Sequence, residues 1–581
     1  MTAKKRPEAN TKARQGGTAK SVQKNERQGG TVKSARANSR QGSTAKTAQK
    51  SQRGARSRLS SWLSGVGIVA LVAGVSIGAV VLNINSAVDT AEKIANAIIT
   101  DNGDLKIDWS RYAAYDIALD QSLEIIHPGT YHLTGEIADG MILVSAGDGV
   151  VRLILDNVVI KNSSGPAILC DSAEDLVIEL MGENYVEDGA EYGADIDEDA
   201  RGAIYSKDDL TFQGDGKLTV VANFEDGVVS KDDLKFNSGT YKITSVDDGI
   251  RGTDSVYIVG GEFTINATGD GIKSTNEIKT GKGFVLIENG SFNVKSGLKG
   301  IKASRSILVY AGEININSYD DGVHSNNYIG VVGGDFTINS GDDGMHADRE
   351  LIIDGGTVNI TKSYEGLEAQ AVTINGGTIK IMATDDGINA GGGADSSSQN
   401  RAGANPMAGD ESCILEINGG EIYINAAGDG VDSNGYLYFN GGTVVVDGPT
   451  NNGDGALDSG ISVVMRGGTV IAVGASGMAE TLGTSSSVYN ISVYFTATQV
   501  AGTTIEIRDA DGKTILSHTS AKTFAHLAAG TAEFELGATY TIYINGEEYQ
   551  TFTITGATTT VGNSNTNQHN IPSRNNRGGQ K

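Results

Sequence analysis

Residues 320–346 read DDGVHSNNYIGVVGGDFTINSGDDGMH, and the Asp-Asp-Gly marks near its two ends decide how the whole chain is read. The two motif glycines, Gly322 and Gly344, lie 22 residues apart, and Gly333-Gly334 falls midway between them. The motif, acid-acid-Gly-aliphatic-x-small, recurs with its glycine at Gly227, Gly249, Gly271, Gly300, Gly322, Gly344, Gly366, Gly387, Gly430 and Gly455. Most gaps are 22 or 21 residues; the gaps of 29 and 43 are read as coils carrying loop insertions, the longer one at 391–410. A second mark, Gly-Gly, recurs at Gly260-Gly261, Gly355-Gly356, Gly376-Gly377, Gly419-Gly420 and Gly441-Gly442. Sustained periods of this length mean stacked structural units.

The pieces between the marks are short and alternate, as in Val256-Tyr257-Ile258-Val259 and Phe263-Thr264-Ile265. Alternation over three to five residues bounded by glycine reads as strand. Three such pieces fill one 22-residue unit, no segment holds a 3.6-residue period, and the Leu-x-x-Leu spacing of leucine-rich repeats is absent. Three strands per turn wound about one axis make an all-β fold, a right-handed parallel β-helix. About a dozen coils are expected over residues 131–484, with a cap or linker at 87–130 and a small β cap or domain at 485–560. Residues 561–581 are expected to be disordered. Cys170 and Cys413 fall about nine coils apart, which at ~4.8 Å per coil is beyond disulfide reach.

Charge divides the chain. Of a net −25, residues 1–58 hold 16 Lys/Arg against 2 Asp/Glu, and the remainder holds 30 against 69. The basic head lacks apolar periodicity, repeats a 13-residue unit, and is expected to be a disordered cytoplasmic tail. Trp62 to Leu82 is a run of 21 uncharged residues, preceded by Arg53, Arg56 and Arg58. It is expected to be a single membrane-crossing helix within 59–86, placing the body outside the cell. The acidic body repels nucleic acid and points instead to cations as partners.

If the period matches the coil, the motif acids stack on one edge: Asp226, Asp248, Asp270, Asp321, Asp343, Glu365 and Asp386, several doubled by Asp247, Asp320, Asp342 and Asp385. Lys299 interrupts that column. Carboxylates ~4.8 Å apart repel by about 3.5 kcal/mol at an effective dielectric of 20. Paired carboxylates from neighbouring turns are also the oxygen cages that Ca²⁺ takes, so Ca²⁺ is the expected cofactor at one or more of these turns. Three positions on, Arg251, Lys273, Lys302, His324 and His346 form a basic column, expected to border a groove for an anionic polymer. With both tryptophans outside the coils, aromatic contact to such a chain falls to tyrosines such as Tyr319 and Tyr364.

These motifs resemble the pectate-lyase-like β-helix superfamily, and more closely a clostridial-type family of cell-surface carbohydrate-binding β-helix proteins. The resemblance covers roughly residues 124–555. It rests on His127-Pro128-Gly129-Thr130-Tyr131-His132-Leu133-Thr134-Gly135, the repeated Asp-Gly-Ile/Val, Tyr364-Glu365-Gly366-Leu367-Glu368 and Asp385-Asp386-Gly387-Ile388-Asn389-Ala390. It implies Ca²⁺ at the Asp-rich turns and affinity for plant-type polysaccharides, acidic ones included. The expected function is therefore Ca²⁺-dependent binding of acidic, pectin-like polysaccharide at the cell surface. A second expectation is a polysaccharide lyase acting by β-elimination, with Lys273 or Lys302 as base. A structural stalk is the third.

Overall fold

The computed structural model describes residues 107–194, 196–391 and 409–563. The basic head, the apolar segment 62–82, most of the insertion at 391–410 and the end of the chain from 564 lie outside the described residues. Among the described residues no helix is long and apolar enough to cross a membrane.

Each coil contributes three short strands, and successive coils pair in parallel along three columns. In the middle of the array the first column runs Ile250–Gly252, Ile272–Ser274, Ile301–Ala303 and Val323–Ser325. The second runs Ser255–Ile258, Phe284–Ile287, Ser306–Val309 and Tyr328–Val331. The third runs Glu262–Ala267, Ser291–Ser296, Glu313–Ser318 and Asp335–Asn339. The result is an all-β parallel β-solenoid of about 15 turns. That exceeds the expected dozen because the winding begins before residue 131. Ala114–Leu119 already pairs in parallel with Gly129–Ile137, and Leu123–Ile125 with Ile142–Ser145. The early coils vary in length, so no fixed period marks them in the sequence.

Register follows from burial. Along the third column Ile243, Ile265, Val294, Ile316 and Ile338 occupy one continuous buried row, while the residues between them face outward. A slip of one residue would turn that row to solvent. The apolar rows meet in one core cluster that follows the coils, and aromatic rings stack within it, Phe263 on Phe292 at 4.9 Å and 3°. At the corners, asparagine amides form a shorter ladder: Asn418 Nδ2 donates to Asn375 Oδ1 (2.9 Å) and Asn440 Nδ2 to Asn418 Oδ1 (2.8 Å). The second glycine of the Gly-Gly mark takes positive φ, 105° at Gly334 and 87° at Gly356, which lets the chain turn into its third strand.

The motif glycine has another origin. A Cβ on Gly322 would stand 2.5 Å from the carbonyl oxygen of Gly344 and 2.5 Å from Ile338 Cγ2. The glycine column is thus where one coil's backbone closes on the next. Gly322→Ala is expected to cost about 1–3 kcal/mol of stability through this overpacking. A shift in the denaturation midpoint measures it, and an unchanged midpoint would contradict the steric account.

At the C-terminal end, Thr469–Gly474 pairs antiparallel with Phe524–Thr531, which ends the parallel winding. A separate four-stranded antiparallel sheet follows, built from Thr504–Arg508, Thr514–Thr519, Thr539–Ile544 and Glu547–Thr553. It is fastened to the coils through the fully buried Asp447, which accepts from His518 Nε2 (2.7 Å), Ser520 Oγ (3.0 Å) and Tyr423 OH (2.8 Å). Cys170 and Cys413 are both buried, and neither is in a disulfide.

Candidate functional site

The acid column turns inward. Asp226, Asp248, Asp270, Asp321, Asp343 and Glu365 are all buried, Asp386 is half-buried beside Asp385, and the doubling residues Asp247, Asp320 and Asp342 stand at the rim. The buried carboxylates do two jobs. With one oxygen, Asp226, Asp248, Asp270, Asp321 and Asp343 each accept the backbone N–H of the residue at the same position in the following coil. Asp248 N–H donates to Asp226 Oδ1 (2.9 Å), Asp270 N–H to Asp248 Oδ1 (2.9 Å) and Lys299 N–H to Asp270 Oδ1 (3.0 Å). The series resumes with Asp343 N–H on Asp321 Oδ1 (3.0 Å) and Glu365 N–H on Asp343 Oδ1 (3.2 Å). These bonds satisfy amides that the tight turns leave without a strand partner.

The other oxygen meets a cation. Arg251 Nη2 lies 2.7 Å from Asp226 Oδ2, and Lys273 Nζ lies 3.0 Å from Asp248 Oδ2 and 2.8 Å from Asp270 Oδ2. Lys299 is itself buried and gives its ammonium to Asp321 (2.6 Å) and Asp320 (3.1 Å). His324 Nδ1 sits 2.8 Å from Asp321 Oδ2, and His346 Nδ1 sits 2.7 Å from Glu368 Oε2 and 3.1 Å from Asp343 Oδ2. The two imidazoles stack at 5.0 Å. The structure therefore brings the basic column, expected to flank the acidic edge, into direct contact with it. His324 and His346 are buried, so they are not the solvent-facing groove residues expected of them.

The titration behaviour follows from these contacts. Burial pulls the Lys273 ammonium down, but the carboxylates of Asp248 and Asp270 raise it overall, so it carries its proton at neutral pH. A general base acts from the deprotonated state, so in these contacts the Lys273 ammonium rests as an ion-pair partner of the two carboxylates. Burial lifts the Asp343 carboxyl to about 8 even against His346, and lifts Glu365 to about 10 with Glu368 beside it. Asp321 is the exception: burial opposes it, but His324 and Lys299 hold it well below the usual carboxylate range.

Past Glu365 the compensation stops. The position held by a base in earlier coils becomes Glu368, Asn389, Asp432 and Asp458, in continuous register from coil to coil. Carboxylate oxygens of Asp429, Asp432 and Asp458 lie within 4.8 Å of one another. Among the described residues no Lys, Arg or His pairs with Asp386, Asp429, Asp432, Asp458 or Glu480. Burial, together with the neighbouring carboxylates, raises Asp386 to about 8, Asp429 to about 7 and Glu480 to about 7, and raises Asp432 well above its ordinary value. Asp458 and Glu480 carry no mark in the sequence that sets them apart. Of the expected metal ligands, Asp226 with Asp247 and Asp248, and Asp320 with Asp321 and Asp342, also converge within 4.8 Å, with Arg251 or Lys299 already on them.

A second acidic edge, also unread, follows the Lys-Asp-Asp repeats. Asp209, Asp232 and Asp233 converge there, and the insertion after Ser274 folds back so that Lys279 reaches Asp254 (2.8 Å) and Lys282 reaches Asp233 (2.7 Å).

Residues 119–366 and 312–399 match the family described as carbohydrate-binding domain-containing protein. The coils thus carry the family match that the motifs pointed to. A carbohydrate-binding domain-containing protein of Acetivibrio thermocellus is 36% identical over 129 residues, covering 21% of this chain and 45% of the relative. This chain therefore spans less than half the length of that curated relative. Among solved structures, the polysaccharide lyase-like protein from C. thermocellum, determined as a gadolinium derivative, is 29% identical. It covers 41% of this chain and 95% of its own, with a TM-score of 0.35.

Proposed function

We propose that this protein binds polysaccharide along its coils without cleaving it, prefers acidic, pectin-like chains, and needs Ca²⁺ to do so. The observation that carries the reading is the match of residues 119–399 to a carbohydrate-binding domain family. The ion-paired state of Lys273 takes away one of the two candidate bases of a lyase, because its ammonium is committed to two carboxylates. Ca²⁺ is assigned to the C-terminal part of the ladder. There the donors are all oxygen, and the raised carboxyls are those that a divalent cation would relieve. Asp386, Asp429, Asp432, Asp458 and Glu480 would hold it; in the earlier coils Arg251, Lys273 and Lys299 already supply the charge. Tyr319 and Tyr364 offer exposed rings for sugar faces. The apolar segment 62–82 would hold the body at the outer face of the cell membrane.

Mixing the full chain with polygalacturonate in Ca²⁺ is expected to give saturable binding that EDTA abolishes. The ultraviolet absorbance of unsaturated uronate should stay flat over the same time. A rising, EDTA-sensitive absorbance would replace the binder with a lyase, and no binding to acidic or neutral polysaccharide would remove both readings.

A further inference from the structure

In the basic column, charge is supplied five times and consumed four times. Arg251, Lys273, Lys302, His324 and His346 stand in unbroken register, each paired across the coils with the next. Arg251, Lys273, His324 and His346 each contact a buried carboxylate within hydrogen-bond distance. For Lys302 no carboxylate partner is found among the described residues. The cause is visible in the sequence. The other four find a partner three residues earlier or one coil back, but three residues before Lys302 stands Lys299, where the column has an acid in the neighbouring coils. One coil back, Asp270 is already shared between the Lys273 ammonium and the Lys299 backbone amide. Lys299 turns its own ammonium forward to Asp320 and Asp321.

This coil thus carries two lysines and no acid within Lys299–Ala303, and only one of the two lysines is neutralised. Lys302 is half-buried, the exposure of a lysine whose stem packs against neighbours and whose ammonium reaches water. It sits directly between Lys273 and His324, so the spot is electropositive on a body that is otherwise strongly acidic. A bound carboxylate would relieve that excess, and an ammonium donor to a carboxylate is a charge-assisted hydrogen bond. The same two coils also expose Leu298 (45%) and Tyr319 (80%), apolar surface of the kind that sugar ring faces cover.

We infer that Lys302 is the residue by which this protein reads the carboxylate of an acidic sugar, and that the other four basic residues of the column serve the fold. The inference rests on the polysaccharide-binding reading above and assigns its preference for acid to one side chain.

The test compares the full chain and its Lys302→Gln variant on polygalacturonate and on the same polymer with its carboxyls methyl-esterified, in Ca²⁺ throughout. The expected result is a loss of about tenfold in affinity for the acid form, the scale of one charged hydrogen bond, with the ester affinity unchanged. Lys302→Arg should keep the acid preference, and Lys380→Gln, an exposed lysine of the third column, should leave both affinities alone. The unfolding midpoint of Lys302→Gln should match the parent, because no ion pair is lost. If Lys302→Gln binds the acid as the parent does, the inference fails while polysaccharide binding stands. If the parent binds neither polymer, the underlying reading fails and takes this one with it.

Discussion

Replacing Lys273 by methionine is expected to destabilise the coils by about 3–5 kcal/mol, the cost of leaving a buried charge without its partner. Two carboxylates are orphaned at once, because Asp248 and Asp270 share this ammonium and are both almost fully buried. Methionine keeps most of the stem's volume, so the effect isolates charge from packing. Chemical denaturation of the full chain, followed through coil signals, measures the shift. The loss should shrink toward acid pH, where the orphaned carboxyls take up protons. The triple change Lys273→Met, Asp248→Asn, Asp270→Asn should recover much of it, since amides can still accept the amide N–H of the following coil. A single variant as stable as the parent would mean that the ladder's ion pairs are incidental to the fold.

The second large effect is expected at the other end of the ladder and has the opposite pH dependence from an ordinary salt-bridged protein. In the unfolded chain the carboxyls of Asp386, Asp429, Asp432 and Glu480 titrate near ~4. In the fold they are raised, Asp386 to about 8, Asp429 and Glu480 to about 7. Between those limits the folded state binds more protons than the unfolded state, so stability falls as pH rises from ~4 to about 8 and then levels. In EDTA the C-terminal coils should therefore melt earlier at pH 8 than at pH 5. Ca²⁺ at a hundred times its dissociation constant should return about 2.7 kcal/mol. Asp432→Asn removes one of the crowded charges, so it should raise the melting temperature in EDTA and blunt the gain from Ca²⁺. A melting temperature that climbs from pH 5 to pH 8 in EDTA would refute the assignment.

The glycine period made most of the fold legible, because close approach of successive coils leaves no room for a side chain at Gly322 and its equivalents. The same period located the acid and base columns. What it left open was their relation. Strand periodicity decides which face a residue takes, but Asp321 and His324 sit on either side of a turn, where no period of two applies. Only the structure shows that the turn folds the acid inward onto a base three residues later. The same limit explains why Lys299, which reads as an interruption of the acid column, proves to be a buried partner of Asp320 and Asp321. The early coils were undercounted for another reason: residues 114–187 form coils of uneven length without the Asp-Asp-Gly mark.

The amide-to-carboxylate ladder gives the array a direction. Where the ladder runs, a unit lends an acceptor to the unit after it and borrows one from the unit before, so such a coil copied whole brings what its successor needs. Duplication or loss of a 22-residue segment then changes the number of coils without asking for new interactions at the joint. The count of coils, and with it the length of the solenoid, becomes a quantity that can change in single steps.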